Sequence, residues 1–160
     1  MDDFETLDRW IDEGAIDIPQ GGWESAEAPE KLLTTGLGPC AGVLVHNPKA
    51  RKAALGHFVE PRMKLEGFAE LVRHARDEMG RILDQIVVLA GVSPEDRSKE
   101  AQEESREIRR HIVRAFVRAG YSEAQIRQAW NGLDELSNLA VDTESGKVIC
   151  VKKDYSGLVG

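Results

Sequence analysis

Two residues in this chain have the chemistry of a nucleophile and its base: Cys40 and His57, seventeen positions apart. Cysteine suits covalent catalysis because its thiolate is intrinsically nucleophilic, and imidazole titrates near enough to neutrality to take and return the proton. The segment joining them reads as a β-hairpin. Ala41–His46 is an apolar run, Asn47-Pro48-Lys49 has turn chemistry, and Ala53–Glu60 is a second strand ending at Pro61. With the turn centred between Pro48 and Lys49, Cys40 directly faces His57, at the ~4.5–5.5 Å Cβ separation of an opposed pair. Just before the cysteine lies Gly36-Leu37-Gly38-Pro39. Gly36 and Gly38 permit positive φ, so N–H groups of this loop and of Cys40 can converge beside the sulfur, lower its pKa and hold an oxyanion.

The surrounding sequence supplies the elements that must position this pair. Lys31–Thr35 reads as a strand leading into the glycine loop. From Glu66 to Asp84 the residues Phe68, Leu71, Val72, Ala75, Met79, Ile82 and Leu83 recur at helical spacing, and Gln85–Val92 is a fully apolar, central strand. Ser93-Pro94 carries a helix-start signature, with Ser93 as N-cap. Residues 95–110 are almost all charged and form an exposed helix or a loop. Ile108, Ile112, Ala115, Phe116 and Ala119 then mark a packed helix closed by Gly120. Ser122 and Gln125 make a capping box that opens a short helix through Trp130. Leu136–Val141 and Lys147–Val151 form a terminal hairpin.

Ahead of this core, Phe4, Leu7, Trp10 and Ile11 give a short amphipathic helix, and Pro19–Pro29 reads as a linker. The organisation is therefore residues 1–30 as an acidic helix and linker, 31–154 as the folded domain and 155–160 as a tail. The N-terminal helix either docks on its own domain or acts as a regulatory arm for a protein partner.

Charge excludes some functions. Of the net −7, residues 1–30 carry ten acidic groups against Arg9 alone, which leaves the body close to neutral with arginines and glutamates interleaved. No basic stripe marks a nucleic-acid partner. No apolar run reaches the ~20 residues of a membrane helix, so membrane insertion is not expected. Met1-Asp2-Asp3-Phe4 has no leader character, and two cysteines fit a reducing cytoplasm. His46, His74 and His111 have no Cys or carboxylate at ligand spacing, so no metal is expected, nor any organic cofactor. Cys150 alternates within Val148–Val151 as a core residue. Glu60 lies near His57 along the strand and is expected to be solvated, while Trp10, Trp23 and Trp130 suit core or rim equally.

Thr34-Thr35-Gly36-Leu37-Gly38-Pro39-Cys40, followed by Asn47-Pro48 and by His57-Phe58-Val59-Glu60-Pro61, resembles the CheD family of bacterial chemoreceptor glutamine deamidases. That family reads T-x-G-L-G-S-C, then a D/N-P turn, then H-F-x-x-P. A similar Cys-His arrangement recurs in deamidating toxins of the cytotoxic-necrotizing-factor type. The likeness is dense from Leu33 to Pro61, with a fainter echo at Glu144–Val148. It implies an α+β fold of layered mixed or antiparallel sheets covered by helices. It also implies Cys40 as nucleophile, His57 as general acid–base and Thr34 as the group orienting the histidine. The chain departs from the family at Pro39, which stands where the family has Ser, and in lacking the later G-G-x-x-G-R element.

The expected function is hydrolysis of a glutamine side-chain amide of a protein substrate through a cysteine thioester, in the setting of chemotaxis. The alternatives are a non-catalytic protein-binding module on the same fold, or another Cys-His amidohydrolase or acyl transferase.

Overall fold

A computed structural model describes residues 2–59 and 65–154. Glu60, the strand end at Pro61 and the tail 155–160 lie outside the described residues. The elements run α1 (Asp3–Asp12), β1 (Ile16–Asp17), β2 (Trp23–Glu27), β3 (Lys31–Leu37), β4 (Ala41–Asn47), β5 (Lys52–Phe58), α2 (Leu65–Glu78), β6 (Ile86–Gly91), α3 (Lys99–Arg118), β7 (Ile126–Trp130), β8 (Glu135–Asp142) and β9 (Val148–Asp154). The fold is α+β with two mixed sheets, of order β1-β3-β8-β9 and β2-β5-β4-β6-β7.

Alternation along the strands sorts the core into three layers of contact. Leu32, Leu37, Leu139 and Val141 of the four-stranded sheet pack with Cys40, Leu44, Leu55 and Val88 of the five-stranded one. The opposite face of the five-stranded sheet, through Val43, Val45 and Leu89, takes Phe68 and Leu71 of α2 and Ile112 and Phe116 of α3. Leu7 and Trp10 of α1 cover Leu33, Ala140 and Ile149 on the outer face of the four-stranded sheet. The layers are thus helix, sheet, sheet, helices. Every residue of β4 is buried because both of its faces are covered, which is why its sequence is apolar from Ala41 to Val45.

The N-terminal helix docks on the sheet. Asp2 caps it, accepting from the Glu5 N–H at 2.8 Å. Burying Leu7 and Trp10, each at 3% exposure or less, gives roughly 1.5–3 kcal/mol per side chain. Residues 19–29, expected as a linker, instead carry β2, which pairs antiparallel with β5 from Trp23↔Gly56 to Glu27↔Lys52.

Three further expectations need correction. The β4–β5 register is Ala41↔Phe58 and Gly42↔His57, so the turn centres between Lys49 and Ala50, one residue later than expected. The cause is Asn47: its Oδ1 accepts from the N–H groups of Lys49 and Ala50, each at 3.1 Å, and its Nδ2 donates to Met79 O. Ser93 does not cap a helix. Its hydroxyl donates to Glu135 O, and the helix starts five residues on, with Ser98 accepting from the Ala101 N–H. The charged stretch is then one continuous helix, α3, of 20 residues. Finally, Ser122 and Gln125 do form their capping box, but around a single 3-10 turn, after which Ile126–Trp130 runs parallel to β6 as strand β7. β6, α3 and β7 are a crossover unit, and the parallel pairing outweighs the local helix signal.

Candidate active site

The two sheets meet at the end where β3, β4 and β5 bring Thr34, Cys40 and His57 to the space between them. Because the register is offset, Cys40 is not directly opposite His57. It lies two positions before Gly42, the residue that pairs with His57. An offset of two keeps the alternation, so the thiol and imidazole share a face as diagonal neighbours, a relation that typically spans ~7–8 Å between Cα positions. Cys40 is 6% exposed and His57 5%.

Thr34 enters from the other sheet. It pairs with Leu139 on β8, and the β3–β8 register shifts between Thr34 and Leu37, a bulge centred on Thr35-Gly36, with Gly36 at φ 71°. The Thr34 hydroxyl donates to Ile18 O at 2.9 Å and lies 2.8 Å from His57 Nδ1. A hydroxyl has one proton. With that proton directed to Ile18, the Thr34 oxygen accepts from His57, so Nδ1 carries hydrogen and Nε2 is the basic nitrogen. Nε2 is buried and has no hydrogen-bond partner among the described residues. Burial holds the His57 pKa below its ordinary 6.5, opposed in part by the charge of Asp17, so the ring is a neutral base at neutral pH.

The backbone around this pair is fixed from several sides. Cys40 O accepts from Val92 N at 2.8 Å, and Gly38 O from Ser93 N at 2.9 Å. Gly91 has φ 82°, and a Cβ there would overlap the Cys40 carbonyl oxygen, so this position requires glycine. Of the loop amides expected to hold an oxyanion, that of Gly36 is directed elsewhere, donating to Asn138 Oδ1 at 3.1 Å. Pro39 has no N–H to offer.

A residue absent from the sequence reading lies against the thiol. Gln20 Nε2 donates to Cys40 Sγ at 3.7 Å. Its loop is clamped to β5, with Gly21 N donating to His57 O at 2.7 Å and His57 N to Gly22 O at 2.9 Å. Gln20 is exposed while the sulfur beneath it is buried, so the carboxamide sits over the approach to the thiol. The only available signal was Gly21-Gly22, a pair that lets two backbones come close and which also suits a linker.

Cys150 lies half-buried on β9 against the inter-sheet core, and burial raises its thiol pKa. Trp10 is core, whereas Trp23 and Trp130 are partly buried beside the helical face. Among the described residues no three His, Cys, Asp or Glu side chains gather to hold a metal ion. No described helix is long and apolar enough to cross a membrane.

His46 and His57 are both buried with pKa values lowered by desolvation. The unfolded chain therefore takes up protons first as pH drops below 6.5, and stability falls in that window. We expect the urea midpoint to decrease between pH 7 and pH 5, with a shallower decrease in His57→Asn. A midpoint independent of pH there would show that the imidazoles are solvated.

No family model matches the chain, and no curated protein does. Among solved structures it is similar to the hypothetical protein YfiH of Bacillus licheniformis, with TM-score 0.50 and 12% identity over 72% of this chain and 58% of that one. It is also similar to YlmD of Geobacillus stearothermophilus, with TM-score 0.54 and 11% identity over 69% of this chain and 50% of that one. The chain thus spans half to three-fifths of the length of these proteins. At such identity the likeness is one of fold. It nevertheless corrects the expected function: the structural neighbours are YfiH and YlmD rather than chemoreceptor deamidases, and the assignment to protein-glutamine deamidation in chemotaxis is overturned.

Proposed function

We propose that this chain is a thiol-dependent enzyme in which Cys40 forms a covalent thioester with a small acyl substrate, His57 moves the proton and Thr34 sets the tautomer of His57. The observation that carries the reading is the Thr34–His57 contact of 2.8 Å, with the Thr34 proton already given to Ile18 O. It leaves a buried Nε2 lone pair on the face that holds the thiol. In this reading the CheD resemblance reflects a shared scaffold and a shared trio of residues, and the substrate differs. A small substrate is favoured by the burial of the sulfur beneath Gln20.

Nε2 takes the Cys40 proton as the sulfur attacks the acyl carbon, giving a tetrahedral oxyanion. The Gln20 carboxamide, which bonds to the sulfur at rest, is placed to donate to that oxygen. Collapse expels the leaving group with the proton from His57 and leaves the thioester. Water, deprotonated by Nε2, then attacks the thioester, and the returned proton restores the thiol as the acid departs.

The test uses p-nitrophenyl acetate, a generic acyl donor, with intact-protein and peptide mass spectrometry. The expected result is a p-nitrophenol burst and an acetyl group on Cys40, with Cys150 unmodified. Equal acetylation of both thiols at the rate of free cysteine would refute the reading. In Gln20→Ala the acetylation rate should drop by roughly 10²-fold, the effect of losing one oxyanion donor. An unchanged rate would remove Gln20 from the mechanism.

A further inference from the structure

Between α3 and the edge strand β7, four arginines line a cleft. Arg106, Arg110 and Arg114 follow one another at i, i+4 spacing, and Arg109 lies between them. The cleft, of about 450 Å³, is bounded opposite by Glu123 and Trp130. A second cavity of about 290 Å³ reaches Arg106 and Arg109 from the side of Asn131.

The charges in this cleft are not balanced. Arg106 and Arg110 share one carboxylate, Glu103, at 3.1 and 3.4 Å. Arg114 has no carboxylate within ion-pair distance among the described residues, and neither has Arg109. Arg109 is half-buried and held in place: one Nη donates to Val92 O at 3.0 Å and to Asn131 O at 2.7 Å, and the guanidinium lies 5.7 Å from the Trp130 ring centroid. Its Nε is buried without a hydrogen-bond partner among the described residues. Burial and the charge of Arg106 both push its pKa down, the signature of a cation lacking a counter-ion. The chain as a whole is acidic, with that acid concentrated in residues 1–30, so the positive potential is local to this cleft.

We propose that the α3–β7 cleft binds a phosphate-bearing ligand, its phosphoryl oxygens held by Arg106, Arg109 and Arg114. A single carboxylate would compensate one of these groups. A phosphate offers a second charge and three oxygens to guanidinium forks that present paired donors. The cleft is larger than a phosphate ion needs, which leaves room for the body of a phosphomonoester.

The proposal is independent of the chemistry at Cys40, and its test reads the cleft directly. In the full-length protein the buried Arg109 Nε–H and the Trp130 indole N–H serve as NMR reporters. Inorganic phosphate and adenosine monophosphate are titrated separately at constant ionic strength. We expect saturable shifts of both signals. In Arg106→Gln/Arg114→Gln the binding should weaken at least about tenfold, since two charge-assisted partners of the phosphoryl oxygens are lost. Arg118→Gln, outside the cleft, should bind as the parent does. Tighter binding of the ester identifies a phosphomonoester ligand, and equal binding identifies free phosphate. Failure of both anions to saturate by about 10 mM, an affinity too weak for a built site, would overturn the proposal. So would equal affinity in the double variant, or identical shifts with chloride.

Discussion

Replacing His57 by glutamine lowers the rate at which Cys40 is acylated by roughly 10²–10⁴-fold, the range over which a positioned general base acts. The site's proton inventory sets this effect. His57 Nδ1–H is engaged by Thr34, which in turn is engaged by Ile18 O, so Nε2 is the ring's one basic position. Glutamine keeps a polar side chain of similar reach but has no basic nitrogen. The pH profile separates loss of the base from a merely structural effect. In the parent, the rate rises with pH through the His57 pKa, which lies below 6.5, because a protonated ring cannot accept the thiol proton. In His57→Gln that limb is gone, and the rate follows thiol ionisation alone. Thr34→Val should fall between the two, keeping the limb at reduced amplitude as both tautomers become populated. A His57→Gln rate within a factor of two or so of the parent would remove the imidazole from the chemistry.

The second large effect is on folding. Gly91→Ala should destabilise the protein by at least ~3 kcal/mol, combining left-handed backbone strain with overlap against fixed backbone. Gly91 ends β6 at φ 82°, and its absent side chain is the space occupied by the Cys40 carbonyl oxygen. That oxygen cannot move aside cheaply, because it accepts from Val92 N, and Val92 itself sits at φ 53° with its carbonyl held by Arg109. For a chain of this length the shift corresponds to a Tm lower by roughly 6–12 °C. Gly132→Ala, at φ outside the left-handed region and with only the Glu135 side chain nearby, should cost far less. Equal losses at the two positions would mean that β6 does not approach the Cys40 loop closely.

The closeness of Cys40 and His57 was legible because a hairpin converts sequence spacing into proximity. The spacing of Cys40 and His57 tolerated an error of register, since an offset of two residues preserves the shared face. What could not be read was the offset itself, which depends on Asn47 drawing the Lys49 and Ala50 amides into its own turn. Thr34 entered through resemblance alone. Its contact with His57 crosses between sheets, and no local pattern encodes how two sheets stack.

The misread segments share a physical cause. Residues 19–29 are rich in glycine, proline and small residues, and only pairing with β5 turns them into a strand. β7 follows a genuine capping box and becomes a strand because β6 offers a parallel edge. In both places tertiary hydrogen bonding decided between conformations that the local residues left close in energy. Gln20 was overlooked for the same reason, since its contact with Cys40 forms only once its loop is clamped to His57. The layering entered through the resemblance, whereas α1 and α2 followed from periodicity, each showing a single apolar face to bury.

The most direct measurement is the tautomer of His57, read from its ring nitrogen shifts by long-range proton–nitrogen NMR at neutral pH. The account predicts a neutral ring with hydrogen on Nδ1 and a bare Nε2, and loss of that preference in Thr34→Val. A ring carrying its hydrogen on Nε2, or one protonated on both nitrogens at pH 7, would contradict it.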